Sequence, residues 1–265
     1  MVRVTTTNRR GVLRAGAGLV AGGGLAVGCG ESGGPAHPAA SATRPRASGR
    51  SAATPRPAPS PRAFPRHPVQ ITHGPRTDAA VALTFHGQGE PGLARRLLTE
   101  AERQGARITV LAVGNWLDEH PDLARRILDG GHDLGNHTQR HLAVNAMSEA
   151  GARAEITACA DRLRRLTGSI GTWFRPSRAP TASALVTRLA QEAGYPHVLS
   201  YDVDSLDYTR PGAPAITRTV LDQVRAGSVV SLHFGYPDTV VALPAVLQEL
   251  VHRGLRAVTT TELLS

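Results

Sequence analysis

The segment DGGHDLGNHTQRH, residues 129–141, joins three local features that together set the fold. A helical pattern near residues 120–129 ends at its Gly-Gly turn. A short run, residues 132–136, follows with the length of a strand. It leads directly into His137 and His141, which are four residues apart in a helical turn and therefore point the same way. Two imidazoles so placed favour a shared metal ion, bound at about 2.1 Å in the case of zinc.

The same succession of helix, turn and strand recurs on both sides of this segment. Predicted strands cover residues 81–85, 108–113, 132–136, 172–175, 197–201, 229–233 and 255–258. Helical patterns lie between them, near residues 92–104, 120–129, 148–166, 181–193, 214–225 and 240–252. Such alternation indicates parallel strands joined by right-handed crossovers. The sequence therefore predicts an α/β fold, a seven-stranded (β/α) barrel that is a distorted TIM-like barrel, with an open doubly wound sheet as the alternative.

Polar side chains collect at the carboxyl ends of the predicted strands, where βα barrels carry their active sites. His86 follows the first strand, and His137 follows the third, with His141 one turn later. The ends of the next three strands carry Arg175, Asp202, Asp204, Asp207 and His233. One rim of the barrel is therefore the expected functional site.

Five motifs in order make residues 79–263 resemble the polysaccharide deacetylases of carbohydrate esterase family 4. HPDLARRILDGGHDLGNHTQRH at 120–141 resembles that family's second motif, His-Ser/Thr-x-x-His, with its usual approach. The other motifs are similar to ALTF at 82–85, WFRPS at 173–177, DVDSLDY at 202–208 and VVSLHF at 229–234. The resemblance implies a metal-dependent hydrolase that removes N-acetyl groups from an extracellular or cell-wall polysaccharide, with peptidoglycan among the substrates it suggests. A catalytically inactive glycan-binding protein on the same fold is the alternative.

The resemblance also implies a role for each matching residue. His137 and His141 would be metal ligands. Arg175 would orient the catalytic base. Asp204 would pair with His233, the general acid that protonates the departing amine. A carboxylate in that position stabilises the charged imidazolium.

The first motif departs from the family pattern, Thr-Phe-Asp-Asp-Gly, at both acidic positions. His86 stands where the first Asp is the usual base, and Gly87 stands where the second Asp is the usual third ligand. In one interpretation His86 is itself the third ligand of a three-histidine site, which suits zinc. In another, His86 is the base and the metal keeps two histidines with water or Glu90. In the last, the metal is weak or lost and the domain only binds glycan.

The third motif departs as well. Ser177, Arg178 and Ala179 stand where a second Pro, an aromatic residue and Gly are usual. A backbone amide near Arg178 can still stabilise an oxyanion. In the fourth motif Tyr208 stands where Trp is common, which is a milder change.

The N-terminal 29 residues have the features of an export signal. A twin-arginine pattern, NRRGVLR at 8–14, precedes an apolar stretch that is too short to span a bilayer. The sequence LAVGC ends at Cys29 and resembles a lipoprotein cleavage box, so we expect a lipid on Cys29 to anchor the protein to the outer face of the cell membrane. Residues 30–76, rich in Pro, Ala, Ser and Arg, predict a disordered linker before a catalytic domain at 77–265. We expect no other membrane contact and a monomer.

The net charge of +9 belongs to the N-terminal part of the chain. Residues 1–76 hold 11 arginines against one acidic residue, whereas residues 77–265 hold 19 arginines against 20 acidic residues. A domain so nearly neutral argues against a nucleic-acid partner. Residues 87–92, GQGEPG, match the dinucleotide fingerprint Gly-x-Gly-x-x-Gly, but the next predicted strand ends without the acidic residue that binds the ribose.

Overall fold

The computed structural model describes residues 58–265. The strands are β1 (Gln70–Ile71), β2 (Ala80–Gly87), β3 (Thr109–Ala112), β4 (Asp133–Asn136), β5 (Val198–Leu199), β6 (Val203–Asp204), β7 (Val229–His233) and β8 (Arg256–Val258). The helices are α1 (Pro91–Arg103), α2 (Gly114–Glu119), α3 (Asp122–Asp129), α4 (Glu149–Thr167), α5 (Ala184–Glu192), α6 (Ala213–Gln223), α7 (Pro237–His252) and α8 (Thr260–Leu263). Short 3-10 turns lie at Val144–Ala146 and Asp207–Thr209.

The order of the parallel strands distinguishes a barrel from an open sheet. The strands follow one another as β4-β3-β2-β7-β6, and β8 also pairs with β2. On the other side of β4, Phe174 bridges Asn136 to Val198 of β5. The interrupted segment 198–204 completes the path, because its first half contacts Phe174 and its second half pairs with β7. The fold is a distorted (β/α) barrel, which confirms the prediction from the sequence.

Alternation of side chains along β2 separates two layers of the core. Leu83 and Phe85 belong to a buried cluster shared with the surrounding helices, in which Leu97 of α1 is one member. Ala82 belongs to a different cluster, which includes Trp173 and fills the inside of the barrel. Successive side chains of a strand point to opposite faces, so His86 continues the inward-facing set at the end of β2.

The turn between β2 and α1 explains the glycine-rich stretch 87–92. Glu90 is the N-cap of α1, and its carboxylate accepts hydrogen bonds from the N–H groups of Gly92 at 2.7 Å and Leu93 at 2.9 Å. Pro91 occupies the start of the helix, where its missing N–H costs nothing. A phosphate at this helix would need the same N–H groups and would meet the negative charge of Glu90. The stretch is therefore a capped helix start.

The ordered domain begins earlier than we expected. β1 pairs in parallel with β5, and Ile71 is completely buried. Phe64 stacks on Trp173 with their ring centroids 5.5 Å apart, and its N–H donates to Nε2 of His197 at 2.8 Å. These apolar anchors are few and scattered through a Pro-rich stretch, so its average composition conceals them. The expectation of a disordered linker is wrong for residues 58–76.

Two expected strands are shorter than the sequence suggests. Residues 172–175 contribute only the bridges at Phe174, because Pro176 follows and has no N–H to continue a ladder. Residues 197–201 pair only at β5, and the chain then crosses to its other neighbour through β6.

Most of the predictions for the N-terminal region concern residues before residue 58. The export signal, Cys29 and the linker up to residue 57 lie outside the described residues. Within residues 58–265, every helix is too short or too polar to span a bilayer.

Candidate active site

Strand register brings the candidate residues to one level at the carboxyl end of the barrel. His86 of β2 is the register partner of His233 of β7. The next residue of β2, Gly87, is level with Ala112 of β3, which is level with Asn136 of β4. His137 follows Asn136 directly, so it lies in the same layer as His86.

Three histidines, His86, His137 and His141, form a group that fits a metal ion. One ring nitrogen of each lies within 4.8 Å of those of the other two. His137 Nε2 lies 3.2 Å from His86 Nδ1. Two nitrogens bound to one tetrahedral zinc ion at about 2.1 Å are roughly 3.4 Å apart, so this pair is already near the required spacing. Three nitrogen ligands would also leave the fourth position open, as catalytic zinc sites do.

Hydrogen bonds on the far sides of two rings orient them toward the shared centre. His137 Nδ1 lies 3.1 Å from the carbonyl oxygen of Arg175, to which it donates when Nε2 carries the lone pair. His86 Nε2 lies 3.4 Å from Ser231 Oγ. Partners of this kind are typical of metal-binding histidines, because they select the tautomer and hold the ring in place.

The loop from His137 to His141, which follows β4, is braced by a residue of the divergent third motif. Thr138 Oγ1 donates to Ser177 Oγ at 2.9 Å, and Ser177 Oγ donates to the carbonyl of Leu142. Thr138 and His141 have positive φ angles of 66° and 57°, so the segment is not the helical turn expected from the sequence. Left-handed backbone at such residues costs about 1–3 kcal/mol and persists only where the surroundings hold it. The hydroxyl of Ser177 supplies part of that support, which a proline there would not.

Neither Gly87 nor Glu90 offers a carboxylate to a metal ion at the three histidines. A Cβ at Gly87 would lie 2.9 Å from Val110 Cγ1 and 3.0 Å from Ala112 Cα, so a side chain there would collide with β3. Glu90 is exposed and its oxygens cap α1. The idea that Glu90 completes a metal site is therefore not supported, and His86 is the residue of β2 whose ring lies beside those of His137 and His141.

Burial favours the neutral form of these imidazoles. The pKa of His86 lies well below its usual value of 6.5, because burial desolvates the charged ring and His137 repels it. The pKa of His137 is lowered in the same way, by burial and then by His141. Burial and the nearby Arg178 lower the pKa of His141 to about 4. Neutral rings keep their lone pairs available to a metal at neutral pH.

We expect the metal-free protein to lose stability as the pH falls below about 6.5. His137 is completely buried and its pKa is lowered, so below pH 6.5 the unfolded chain binds a proton there that the folded chain does not. The free energy of unfolding should therefore fall by up to about 1.4 kcal/mol per pH unit through this group. Urea unfolding in EDTA, between about pH 7.5 and 5, measures this slope.

The matched control for the pH dependence separates His137 from exposed histidines. His137→Gln should reduce the slope by that amount, whereas the same change at His252, whose side chain is 82% exposed, should leave it unchanged. Equal slopes in His137→Gln and the unmodified protein would contradict the explanation.

His233 is paired with Asp207, and the expected pairing with Asp204 is wrong. His233 Nδ1 lies 2.6 Å from Asp207 Oδ1. Asp207 is completely buried, and its Oδ2 accepts from the backbone N–H of His233 at 2.8 Å and from Thr239 Oγ1 at 2.7 Å. Asp204 Oδ1 accepts from the N–H of Leu206 at 3.1 Å instead. Leu206 has a positive φ of 55°, and the turn it makes brings Asp207 back to β7.

The sequence indicated that an aspartate pairs with His233 but did not show which aspartate it is. DVDSLDY holds three aspartates after one strand. Asp202 is used elsewhere, because its Oδ2 pairs with Arg76 at 2.6 Å. Spacing alone does not show which of the remaining two carboxylates returns to His233.

Arg175 is completely buried and ties strands together. Its Nε and Nη2 donate to the carbonyls of Leu199 at 3.1 Å and Ser200 at 2.8 Å, and its Nη1 donates to Thr84 Oγ1 at 2.8 Å. Burial lowers the pKa of the guanidinium to about 10. These hydrogen bonds go to strand residues rather than to His86, which Arg175 affects only through its charge, by helping to lower the pKa of that histidine.

A cleft of about 680 Å³ opens over this group of side chains. His86, His141 and His233 line it together. The ring centroids of Tyr208 and Tyr236 lie 5.5 Å and 5.8 Å from that of His233, so two aromatic rings flank the histidine. The cleft therefore gives one ligand access to the histidine group and to the His233–Asp207 pair.

Known proteins with similar sequences include several deacetylases. The family model for polysaccharide deacetylase matches residues 73–198. A peptidoglycan-N-acetylglucosamine deacetylase of Bacillus cereus is 31% identical over 194 residues, which are 72% of this chain and 90% of that protein. A chitooligosaccharide deacetylase of Bradyrhizobium is 28% identical over 198 residues and covers 66% of this chain and 86% of that protein.

Solved structures show the same barrel. A carbohydrate esterase family 4 pseudoenzyme from Bacillus anthracis superposes with a TM-score of 0.71 at 23% identity, over 75% of this chain and 70% of that chain. A family 4 carbohydrate esterase from Streptomyces lividans, in complex with acetate, superposes with a TM-score of 0.62 at 26% identity, over 67% of this chain and 91% of that chain. The motifs, the barrel and the similarity over most of the Bacillus cereus relative lead to one conclusion: the chain belongs to the polysaccharide deacetylase family.

Proposed function

We propose that the protein is a metal-dependent hydrolase that removes N-acetyl groups from an extracellular or cell-wall polysaccharide. The observation that carries the proposal is the group of three histidines next to the His233–Asp207 pair in one cleft. Amide hydrolysis needs an activated water, a polarised carbonyl and a proton for the departing amine, and this group offers a place for each. The relative from Bacillus cereus is named for peptidoglycan N-acetylglucosamine, which supports an N-acetylated glycan as substrate.

The three histidines would hold a divalent ion, with zinc as the best match to three nitrogen ligands. Zinc bound there would polarise the acetamide carbonyl and lower the pKa of a water molecule toward about 7. The carbonyl of Arg175 and the hydroxyl of Ser231 would keep two of the rings oriented.

His233 would protonate the departing amine. Its ring centroid lies 4.2 Å from that of His86, so it stands beside the metal group. The buried carboxylate of Asp207 holds His233 Nδ1 and stabilises a positive imidazolium. Nε2 is then the nitrogen that delivers the proton. The backbone N–H near Arg178 would stabilise the negative charge that develops on the carbonyl oxygen.

The proposal includes a location outside the cytoplasm. The export signal of residues 1–29 would direct the chain across the membrane, and a lipid on Cys29 would hold it at the outer face. The stretch from residue 30 to the start of the folded domain would then act as a linker. At about 3.1 Å per residue when extended, even 25 residues would reach on the order of 80 Å into a cell wall.

Two measurements test the proposed activity. Elemental analysis of the purified chain should find about one zinc ion per molecule, removable by EDTA. The zinc-loaded protein should release acetate from peptidoglycan or from chitooligosaccharide. Protein that binds no metal and still binds glycan would overturn the proposal in favour of the alternative below.

The alternative is a catalytically inactive glycan-binding protein. One observation favours it: Gly87 and His86 replace both acidic residues of the family's first motif, so no carboxylate from that motif is present to act as base. An ion held by three histidines would compensate, since it activates water without a strong base. Acetate release therefore decides between the two functions.

Replacing His86 with alanine should remove bound zinc and acetate release together. His86 Nδ1 is 3.2 Å from His137 Nε2, and this short distance supports a role as ligand. Zinc content and acetate release are measured on the same sample, with His252→Ala as the exposed control. Retained zinc with lost activity would make His86 the base instead, and full activity would contradict both roles.

A further inference from the structure

Two arginines give the cleft an excess of positive charge. Arg178 and Arg210 are exposed and line it. Of the described residues around the cleft, Asp204 is the one acidic residue, and its Oδ1 already accepts from Leu206 N–H. The three histidines add no negative charge, whereas a carboxylate ligand would.

Each arginine lies beside a different part of the site. Arg178 and His141 both line the cleft. Arg210 Cζ lies 5.8 Å from the ring centroid of Tyr236, which in turn contacts His233. A glycan bound over the histidines would therefore meet a guanidinium near each of these two histidines.

The two guanidinium groups have no acidic partner among the described residues. Within residues 58–265, neither forms an ion pair with a carboxylate, while exposed arginines on the helices, such as Arg95, Arg153 and Arg188, do. Arg178 and Arg210 also have positive φ angles of 54° and 58°. Such backbone is uncommon for arginine and concentrates at functional sites.

We infer that this site selects an anionic glycan, in which carboxylate groups flanking the N-acetylated sugar bind Arg178 and Arg210. The inference rests on the proposed function and narrows its substrate class. A guanidinium matches a carboxylate because two parallel N–H groups donate to its two oxygens. The residue at position 178 replaces an aromatic wall with a charge, which would exchange stacking on a neutral sugar for recognition of an acidic one. The carboxylate could belong to a uronic acid or to the lactyl group of muramic acid.

Three tetrasaccharides of equal length test the inference on the full chain. The first is neutral and contains only N-acetylglucosamine. In the second, N-acetylglucosamine alternates with glucuronic acid, and in the third it alternates with N-acetylmuramic acid. Calorimetric binding in EDTA measures affinity without turnover, and acetate release is measured separately on the zinc-loaded protein. We expect at least one acidic tetrasaccharide to bind about tenfold more tightly than the neutral one, and to lose that preference in about 0.5 M salt. The preferred member identifies the source of the carboxylate.

Substitutions at the two arginines locate the effect. Arg178→Asn and Arg210→Asn remove the charge with a residue that tolerates left-handed backbone, and each should reduce the preference about threefold to fivefold. Arg178→Lys should keep part of it. Arg218→Asn is the matched control, because Arg218 is exposed on α6 and does not line the cleft.

The outcomes separate this inference from the proposed function. Equal affinity for all three tetrasaccharides, or an equal loss in Arg218→Asn, overturns the anionic specificity. Acetate release from the neutral tetrasaccharide as fast as from the acidic ones does the same but supports the deacetylase activity. Preferential binding of an acidic tetrasaccharide with no acetate release from any of them supports the specificity and overturns the deacetylase.

Discussion

Replacing His137 with alanine should lower zinc affinity by at least about 100-fold and reduce acetate release to background. Loss of a partner behind a ligand already costs about 10–100-fold in metal affinity or activity, and here the ligand itself is removed. His137 is completely buried, and its Nε2 lies nearest to His86. Zinc titration against a competing chelator and acetate release on the same preparation measure both effects.

The control for this variant must also lose a buried imidazole. His132 serves, since it is 4% exposed and lies at the opposite end of β4 from His137. Its Nδ1 accepts a hydrogen bond from the N–H of Ile108, the residue before β3. His132→Ala should lower the melting temperature and leave zinc content unchanged. If both variants retain zinc, or lose it equally after correction for unfolded protein, His137 is not a specific ligand.

Replacing Asp207 with asparagine should lower kcat by about 100-fold or more while leaving zinc in place. The substitution preserves shape, so its carbonyl can still accept from His233 N–H and Thr239 Oγ1. Its amide N–H would face His233 Nδ1, which must then accept a hydrogen bond instead of donating one. The negative charge that stabilises the imidazolium is lost. Steady-state acetate release, with zinc content measured in parallel, shows whether catalysis or metal binding has changed.

Asp204→Asn is the matched comparison for the same assay. Asp204 lines the cleft but bonds to Leu206 N–H, so we expect a loss of less than about tenfold. A larger loss of kcat in Asp204→Asn than in Asp207→Asn would mean that Asp204 is the functional partner of His233. Equal zinc content in both variants is required for the comparison.

Much of the architecture follows from local patterns in the chain. Helix and strand periodicity predicted β2, β3, β4 and β7 within a few residues, because each is a short buried run followed by a helix with its own start and stop signals. Alternation and crossover handedness predicted parallel strands joined by helices, whereas the choice between a barrel and an open sheet required the strand order of the structure. The strand at residues 172–175 was overestimated, since only Phe174 forms bridges there.

Two ordered features near the start of the domain were not predicted, because each involves very few residues. β1 has only two residues, and Phe64 is a single aromatic side chain in a stretch dominated by small and polar residues. Their burial depends on Trp173 and β5, which lie more than 100 positions away in the chain. Composition averaged over a window cannot report such a contact.

Spacing along the chain was enough to predict that His86, His137 and His141 lie close together, because each stands at or just after the end of a strand. The pairing of His233 with Asp207 instead of Asp204 could not be predicted in this way, since it depends on the turn at Leu206. The lack of room for a side chain at Gly87, where a Cβ would meet β3, is likewise a property of the folded structure. The physical reason is that spacing sets which face of an element a residue occupies, whereas hydrogen-bond partners and free volume are set by segments distant in the chain.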